Sequence, residues 1–153
     1  MTMADSKGGF EQNTCGRREP ARRAYRVVVA DDNELVLDAV RQLLTPEFEV
    51  DCVVHEPFLI ETVEKRKPDV VITDINMPGA NGIDLGRVLI KRKLCDAVVI
   101  LTVYNEPQMI QRAFESGIRG YVLKVDAGEE LAAAVHEVIS GNRYLSRGAR
   151  AHS

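Results

Sequence analysis

The sequence predicts an α/β domain: a doubly wound, five-stranded parallel sheet with helices on both faces. Five short runs rich in β-branched residues alternate with five segments of helical periodicity, beginning at Tyr25. The runs are almost continuously apolar, which is typical of strands that crossover helices bury on both faces. Together these observations favour five consecutive βα units.

The predicted elements have ordinary lengths for such units. Strands are expected over residues 26–30, 48–54, 70–73, 98–101 and 120–123. Helices are expected over residues 34–44, 58–66, 84–93, 107–116 and 129–140. Gly117 and Gly141 directly follow the last two helices, at the position where a left-handed residue commonly ends a helix.

The order of the strands follows from the connections between them. Right-handed crossovers leave few arrangements for a sheet of this kind, and we expect the flavodoxin-like order 2-1-3-4-5. In that order the winding reverses between strands 1 and 3. Ligands of open parallel sheets bind beside this reversal, at the carboxyl ends of the strands.

Length and composition indicate one globular domain and exclude several classes of protein. The chain has 153 residues, of which 45% are hydrophobic and 28% charged. No apolar run approaches the roughly 20 residues of a membrane-spanning helix, and the polar N-terminus does not resemble a signal peptide. The cysteines, Cys15, Cys52 and Cys95, fit neither a disulfide framework nor a zinc site. We therefore expect a cytoplasmic protein without membrane contact.

The charge pattern separates both ends of the chain from its middle. Residues 1–24 hold five basic and three acidic side chains, and residues 143–153 hold three arginines and no acid. We interpret residues 1–24 as a disordered extension and residues 143–153 as a C-terminal tail or truncated linker. The folded domain, residues 25–142, is then acidic, so no direct contact with DNA is expected from this chain.

Polar side chains follow four of the five predicted strands. Asp31 and Asp32 follow strand 1, Asp74 follows strand 3, Thr102 follows strand 4 and Lys124 follows strand 5. Parallel strands end at the same edge of the sheet, so these side chains are predicted to meet there.

Three crowded carboxylates repel one another unless they trap a proton or hold a cation. A hard divalent ion with oxygen ligands suits them best, and Mg2+ suits a site that also binds phosphate. Phosphoryl transfer needs alignment and neutralised charge. The hypothesis is that Asp74 is the nucleophile, Asp31 and Asp32 hold the metal, and Lys124 and Thr102 bind phosphoryl oxygens.

Simpler interpretations stand beside this one. Asp31 and Asp32 could cap the helix that begins near Glu34. Thr102 could be an ordinary residue at the end of a strand, and Tyr121 a half-buried aromatic side chain packed on the sheet.

The motifs resemble those of the receiver domain of bacterial two-component response regulators. They are D-D after strand 1, D-I-N-M-P-G-x-N-G after strand 3, L-T after strand 4 and G-Y-V-L-K after strand 5. The resemblance covers about residues 25–142. The segment V-I-S-G-N-R-Y-L-S is most similar to receivers of the helix-turn-helix, LuxR-type subfamily of transcription regulators.

The resemblance implies a phosphoacceptor switch. Asp74 would take a phosphoryl group from the phosphohistidine of a sensor histidine kinase. The Asn76 carbonyl would complete the Mg2+ site beside Asp32 and Asp74, with Asp31 acting mostly through water. Thr102 and Tyr121 would form the switch pair. Such a domain is not a turnover enzyme, since it catalyses only its own phosphorylation and dephosphorylation.

The resemblance also implies contacts with other molecules. A phosphorylation-dependent homodimer is expected, through surfaces near helices 1 and 5 or near helices 4 and 5 and strand 5. The chain could be a stand-alone receiver or the receiver portion of a DNA-binding regulator, and the sequence leaves both open. Val125 replaces the proline that many receivers have after the lysine, so the loop there either runs trans or stores the cost of a cis bond.

Two enzyme or carrier classes fit less well. A phosphatase of the haloacid-dehalogenase type needs an aspartate two residues after the nucleophile, where this chain has Asn76. A flavodoxin-like FMN carrier needs a phosphate-binding loop after strand 1, where D-D-N-E-L would repel a phosphate. A colourless protein without phosphatase turnover would exclude both.

Overall fold

The computed structural model of the protein describes residues 24–55 and 57–150. The N-terminal extension predicted for residues 1–24 lies outside these ranges, apart from Ala24, as do the last three residues of the predicted tail.

The elements follow the predicted alternation. The strands are β1 Arg26–Ala30, β2 Glu49–Val53, β3 Val70–Thr73, β4 Asn76–Met77, β5 Ala80–Asn81, β6 Val98–Thr102, β7 Gly120–Leu123 and β8 Tyr144–Leu145. The helices are α1 Glu34–Leu44, α2 Pro57–Arg66, α3 Gly82–Lys91, α4 Pro107–Glu115, α5 Ala127–Ile139 and α6 Arg147–Arg150, with a 3-10 turn at Lys124–Asp126. All five predicted strands and helices are confirmed, with ends that agree within two residues.

The main sheet is parallel and has the strand order β2-β1-β3-β6-β7-β8. Its first five strands reproduce the predicted order, and the α/β fold is confirmed. The sixth strand is an addition to the prediction: β8 pairs in parallel with β7, placing Gly120 opposite Tyr144 and Tyr121 opposite Leu145. Strands β4 and β5 form a separate antiparallel hairpin.

Alternation along the strands divides the core into two layers, because successive side chains of a strand point to opposite faces. On one face Val28 and Ala30 pack in a cluster with buried residues of α2, α3 and α4. On the other, Val27 and Val29 pack in a cluster with α1 and α5. All residues of β3 and β6 are buried, and each fully buried Val, Leu or Ile stabilises the fold by about 1.5–3 kcal/mol.

Residues 144–150 pack against the domain, where the sequence suggested a tail or linker. Ser146 and Ala149 are fully buried, and Ser146 N donates to the Tyr121 carbonyl at 3.0 Å. The basic side chains that suggested a solvated tail lie on the outside of this segment, while its small residues face β7. In the described ranges, no helix is long and apolar enough to cross a membrane.

Candidate functional site

The carboxyl ends of β1, β3 and β7 bring together four of the predicted site residues. Carboxylate oxygens of Asp31, Asp32 and Asp74 lie within 4.8 Å of one another. The Lys124 Nζ lies 3.0 Å from Asp31 Oδ2 and 3.1 Å from Asp74 Oδ2. The structure therefore contains an acidic group beside the Lys124 ammonium, contributed by three strand ends that are distant in the sequence.

Asp74 is positioned by the backbone around it. Its amide donates to the Ala30 carbonyl across the β1–β3 ladder, and its Oδ1 accepts from the Ile75 amide at 2.7 Å. Helix α3 begins against the same segment: Gly82 N donates to the Ile75 carbonyl at 2.7 Å. A Cβ at Gly82 would lie 1.8 Å from the Asp74 carbonyl oxygen. Only glycine allows this close approach, which holds the backbone of Asp74 in place.

Asp31 and Asp32 are neighbours in sequence but differ in environment. Asp31 is 2% exposed, and its Oδ1 accepts from the Asn33 amide at 2.9 Å, whereas Asp32 is exposed. Among the described residues, Asp31 Oδ2 has the ionic contact with Lys124 but no well-aligned hydrogen bond. Burial raises the pKa of Asp31, against the opposing effects of the Asn33 amide and Lys124.

The capping alternative for these aspartates does not hold. The N-cap of α1 is Asn33, whose side chain accepts from the Leu35 amide at 2.9 Å. Because Asn33 supplies the cap, the carboxylates of Asp31 and Asp32 are left for the site.

Lys124 is partly buried, and its charge is stabilised there. Burial lowers the pKa of this amine, but the negative charges of Asp31 and Asp74 and the hydrogen bond to Asp74 more than offset that effect and raise the pKa overall. The side chain is therefore an ammonium, poised between two carboxylates. Among the described residues the one cis peptide bond is Thr45–Pro46, so the bond between Lys124 and Val125 is trans.

The predicted switch residues meet at Tyr104. Thr102 is fully buried and its Oγ1 accepts from the Tyr104 amide at 3.3 Å. Tyr121 is also fully buried, and its hydroxyl donates to the Tyr104 carbonyl at 2.7 Å. Burial raises the pKa of Tyr121, which keeps the phenol a neutral donor. Asn76 is exposed, and its amide donates to the Tyr104 hydroxyl at 2.6 Å.

Comparison with known families identifies the family of the domain. Residues 27–136 match the sequence profile of the response regulator receiver domain. The chain belongs to this family. Receiver domains bind Mg2+ at an acidic pocket, and here Asp31, Asp32 and Asp74 form an acidic group that could hold a metal.

Similar proteins place this receiver among LuxR-type regulators, as the C-terminal motif predicted. The transcriptional regulatory protein DesR of Bacillus subtilis is 37% identical over 76% of this chain and 59% of its own length. A LuxR-family response regulator from Aurantimonas sp. SI85-9A1 superposes with a TM-score of 0.78 at 25% identity, covering 85% of this chain and 95% of that one. The isolated receiver domain of RcsB from Salmonella enterica, determined with the phosphomimetic BeF3-, superposes with a TM-score of 0.76 at 26% identity, covering 85% of this chain and 99% of that one.

The chain spans between half and two thirds of the length of the curated relatives it matches. The receiver is therefore the part that these proteins share with it. Receiver domains of response regulators are signalling domains.

Sequence reasoning missed the contacts that surround Lys124 from the C-terminal side. Ser146 and Asp126 hydrogen-bond to each other beside the lysine, and Glu130 binds the Arg147 amide. A two-residue strand carries no periodicity, and a buried serine carries no pattern of its own. The one available signal was the unusual run of small residues among the arginines of residues 146–150.

Proposed function

We propose that this receiver accepts a phosphoryl group on Asp74, from the phosphohistidine of a sensor histidine kinase, in the presence of Mg2+. The observation that carries the proposal is the contact of Asp74 Oδ2 with the Lys124 ammonium, at 3.1 Å, inside the acidic group. An attacking carboxylate needs a fixed position and neighbouring positive charge, and Asp74 has a backbone held in place, a neighbouring cation and nearby oxygens that could bind a metal.

The transfer exchanges one bond to phosphorus for another. A carboxylate oxygen of Asp74 forms the new bond, the bond from phosphorus to the imidazole nitrogen breaks, and its electron pair returns to the ring. Lys124 would then move its hydrogen bond from Asp74 to an oxygen of the phosphoryl group. The Thr102 hydroxyl would donate to another. Both groups favour the charge that develops during transfer.

The residues present fit a magnesium ion. Asp32, Asp74 and the Asn76 carbonyl would hold it, with Asp31 acting mostly through water. Hard oxygen ligands suit Mg2+, and the carboxylate oxygens of Asp31, Asp32 and Asp74 lie within 4.8 Å of one another. When bound, the ion would neutralise negative charge on the phosphoryl oxygens.

A protein donor is favoured by the surroundings of the site. Leu35, Val103 and Val125 are 79%, 68% and 85% exposed, and each lies within three residues of Asp32, Thr102 or Lys124. Exposed apolar side chains around a polar centre are typical of docking surfaces. We propose that the kinase contacts this rim, and that the encounter takes place in the cytoplasm.

Phosphorylation would act as a switch by drawing Thr102 towards Asp74. Thr102 and Tyr121 both bind Tyr104, so movement of Thr102 would reach the face formed by β6, α4 and β7. A homodimer formed on phosphorylation is the proposed readout. Gel filtration with and without beryllofluoride and Mg2+ should show a shift to larger size, and an unchanged monomer would refute it.

The decisive experiment uses a small phosphodonor. Incubation with acetyl phosphate and Mg2+ should add one labile phosphoryl group to the parent and none to Asp74→Ala, as measured by intact mass. Asp38→Ala is the matched control, since Asp38 is an exposed aspartate on α1. Equal labelling of the parent and Asp74→Ala would refute the site.

A second candidate is the receiver portion of a DNA-binding regulator whose output is absent from this chain. Its support is the names of the relatives, which include transcriptional regulatory proteins, and an RcsB structure in complex with DNA at a TM-score of 0.75. In this interpretation the receiver occupies about residues 25–142. The complete reading frame of the gene distinguishes the two candidates.

A further inference from the structure

The C-terminal segment, residues 144–150, is bound to the loop that carries Lys124 and to the start of α5. The Tyr144 hydroxyl donates to Glu130 Oε1 at 2.7 Å. The Arg147 amide donates to both oxygens of the same carboxylate at 3.1 Å. A segment that also pairs with β7 is therefore fixed on two sides.

Within this segment, the Ser146 hydroxyl bridges the two sides of Lys124. It accepts from the Leu123 amide at 3.0 Å and donates to Asp126 Oδ2 at 2.7 Å. Leu123 is the residue before Lys124, and Asp126 is the second residue after it. Since Ser146 is fully buried, water does not compete for either hydrogen bond.

Asp126 Oδ2 is also held by a second donor. The Gly148 amide donates to it at 2.8 Å. A Cβ at Gly148 would lie 2.8 Å from that oxygen and 2.9 Å from Leu123 Cδ1. The C-terminal segment therefore packs closely on the Lys124 loop, and a larger residue at position 148 would displace the side chains of Asp126 and Leu123.

Side-chain packing anchors the two ends of this loop but not its middle, since Leu123 and Ala127 are only 5% and 8% exposed. Val125, which follows Lys124, is 85% exposed, so its side chain contributes little packing to the turn. The backbone position of Lys124 then depends on its neighbours Leu123 and Asp126. Leu123 is also held by its pairing with β6 and by its buried side chain, and Ser146 binds both neighbours.

We propose that Ser146 is a positioning residue for Lys124, and that docking of the C-terminal segment is coupled to the phosphoryl state of Asp74. This inference rests on the proposed function. Lys124 must reach the phosphoryl oxygens, and Ser146 helps to fix the backbone position of Lys124 through its hydrogen bonds to Leu123 and Asp126. By linkage, a phosphoryl group that holds Lys124 in place also favours the docked segment.

The test measures the rate of Asp74 labelling by acetyl phosphate at saturating Mg2+. Ser146→Ala should slow labelling roughly tenfold, within the loss expected when a reacting group is misplaced by about 1 Å. Ser146→Thr, which retains the hydroxyl, should restore most of the rate. Affinity for Mg2+, measured by calorimetry, should stay within about twofold of the parent, because the carboxylates are not touched. A general loss of structure would change both quantities together.

Ser116→Ala is the matched control. Ser116 also hydrogen-bonds through its hydroxyl, to the Arg112 carbonyl at the end of α4, and should label at the parental rate. If Ser146→Ala does not fold by circular dichroism, Gly148→Ala takes its place with the same expected slowing. Ser146→Ala and Gly148→Ala that label like Ser116→Ala would overturn the inference while the proposed function stands. A parent that is not labelled would overturn the proposed function first.

The reciprocal effect gives a second measurement. Beryllofluoride with Mg2+ should slow hydrogen exchange of the amides of residues 146–150 several-fold in the parent, and should leave it unchanged in Lys124→Ala. Equal exchange in the parent with and without beryllofluoride would contradict the coupling.

Discussion

The loop after β3, which carries Asp74, is fixed by adjacent backbone, whereas the loop after β7, which carries Lys124, is held by groups twenty or more residues away. In the first, the Ile75 amide binds the Asp74 carboxylate, and Gly82 packs directly against the Asp74 carbonyl. In the second, side-chain hydrogen bonds do the holding. The backbone of Asp74 is thus held by nearby backbone, whereas the backbone of Lys124 is held by the C-terminal segment, so changes in that segment can shift the ammonium.

The packing that holds the Asp74 loop is sensitive to the addition of one methyl group at Gly82. Gly82→Ala places a Cβ against the Asp74 carbonyl oxygen and should destabilise the protein by about 3 kcal/mol or more. Urea unfolding measures the loss. Gly128→Ala is the control, because nothing lies within 4 Å of a Cβ there, and it should be neutral or stabilising by up to about 1 kcal/mol. A Gly82→Ala variant as stable as Gly128→Ala would contradict the rigid packing.

In the loop after β7, removal of the Lys124 ammonium should have opposite effects on two measurements. Lys124→Ala should slow labelling of Asp74 by roughly 10²-fold, the loss typical of one preorganised charge-stabilising group. It should also raise Mg2+ affinity by roughly tenfold, because a positive charge beside the carboxylates opposes a cation.

Calorimetry and labelling kinetics separate the two effects of Lys124→Ala. Lys65→Ala serves as control, since Lys65 pairs with Glu61 on the exposed face of α2. Weaker Mg2+ binding in Lys124→Ala would show that the lysine supports the acidic group instead of opposing the ion.

A smaller effect is expected between the two loops, at Tyr121. Tyr121→Phe keeps the buried ring and removes the hydrogen bond to the Tyr104 carbonyl. It should cost about 0.5–1.5 kcal/mol of unfolding free energy and leave the rate of Asp74 labelling within about twofold. A large loss of labelling would mean that the phenol supports the chemistry and not only the switch.

Strand β3 shows why most of the fold was predictable, and β8 shows the limit. All four residues of β3 are apolar or small and are buried on both faces, so the sequence pattern and the structure agree. β8 has two residues, both half-buried, and its place depends on pairing with β7, which no local pattern encodes.

The candidate site was predictable to the same degree. Asp31, Asp74 and Lys124 meet because parallel strands end at one edge, a rule of topology that the sequence already contains. The difference between buried Asp31 and exposed Asp32 was not predictable, since it depends on where α1 begins. The bridge made by Ser146 was hidden for another reason: its hydrogen bonds join residues 20 and 23 positions apart, and no motif marks them.

Strand β8 also protects the sheet from association with other chains. Without it, the outer side of β7 would present unpaired backbone groups beside Gly120 and Tyr121, and an unpaired sheet edge is a template for aggregation. β8 covers that edge and is itself too short to recruit a further strand. Proteolytic trimming within residues 144–150 should therefore yield a protein that precipitates on storage, even where its acidic pocket remains intact.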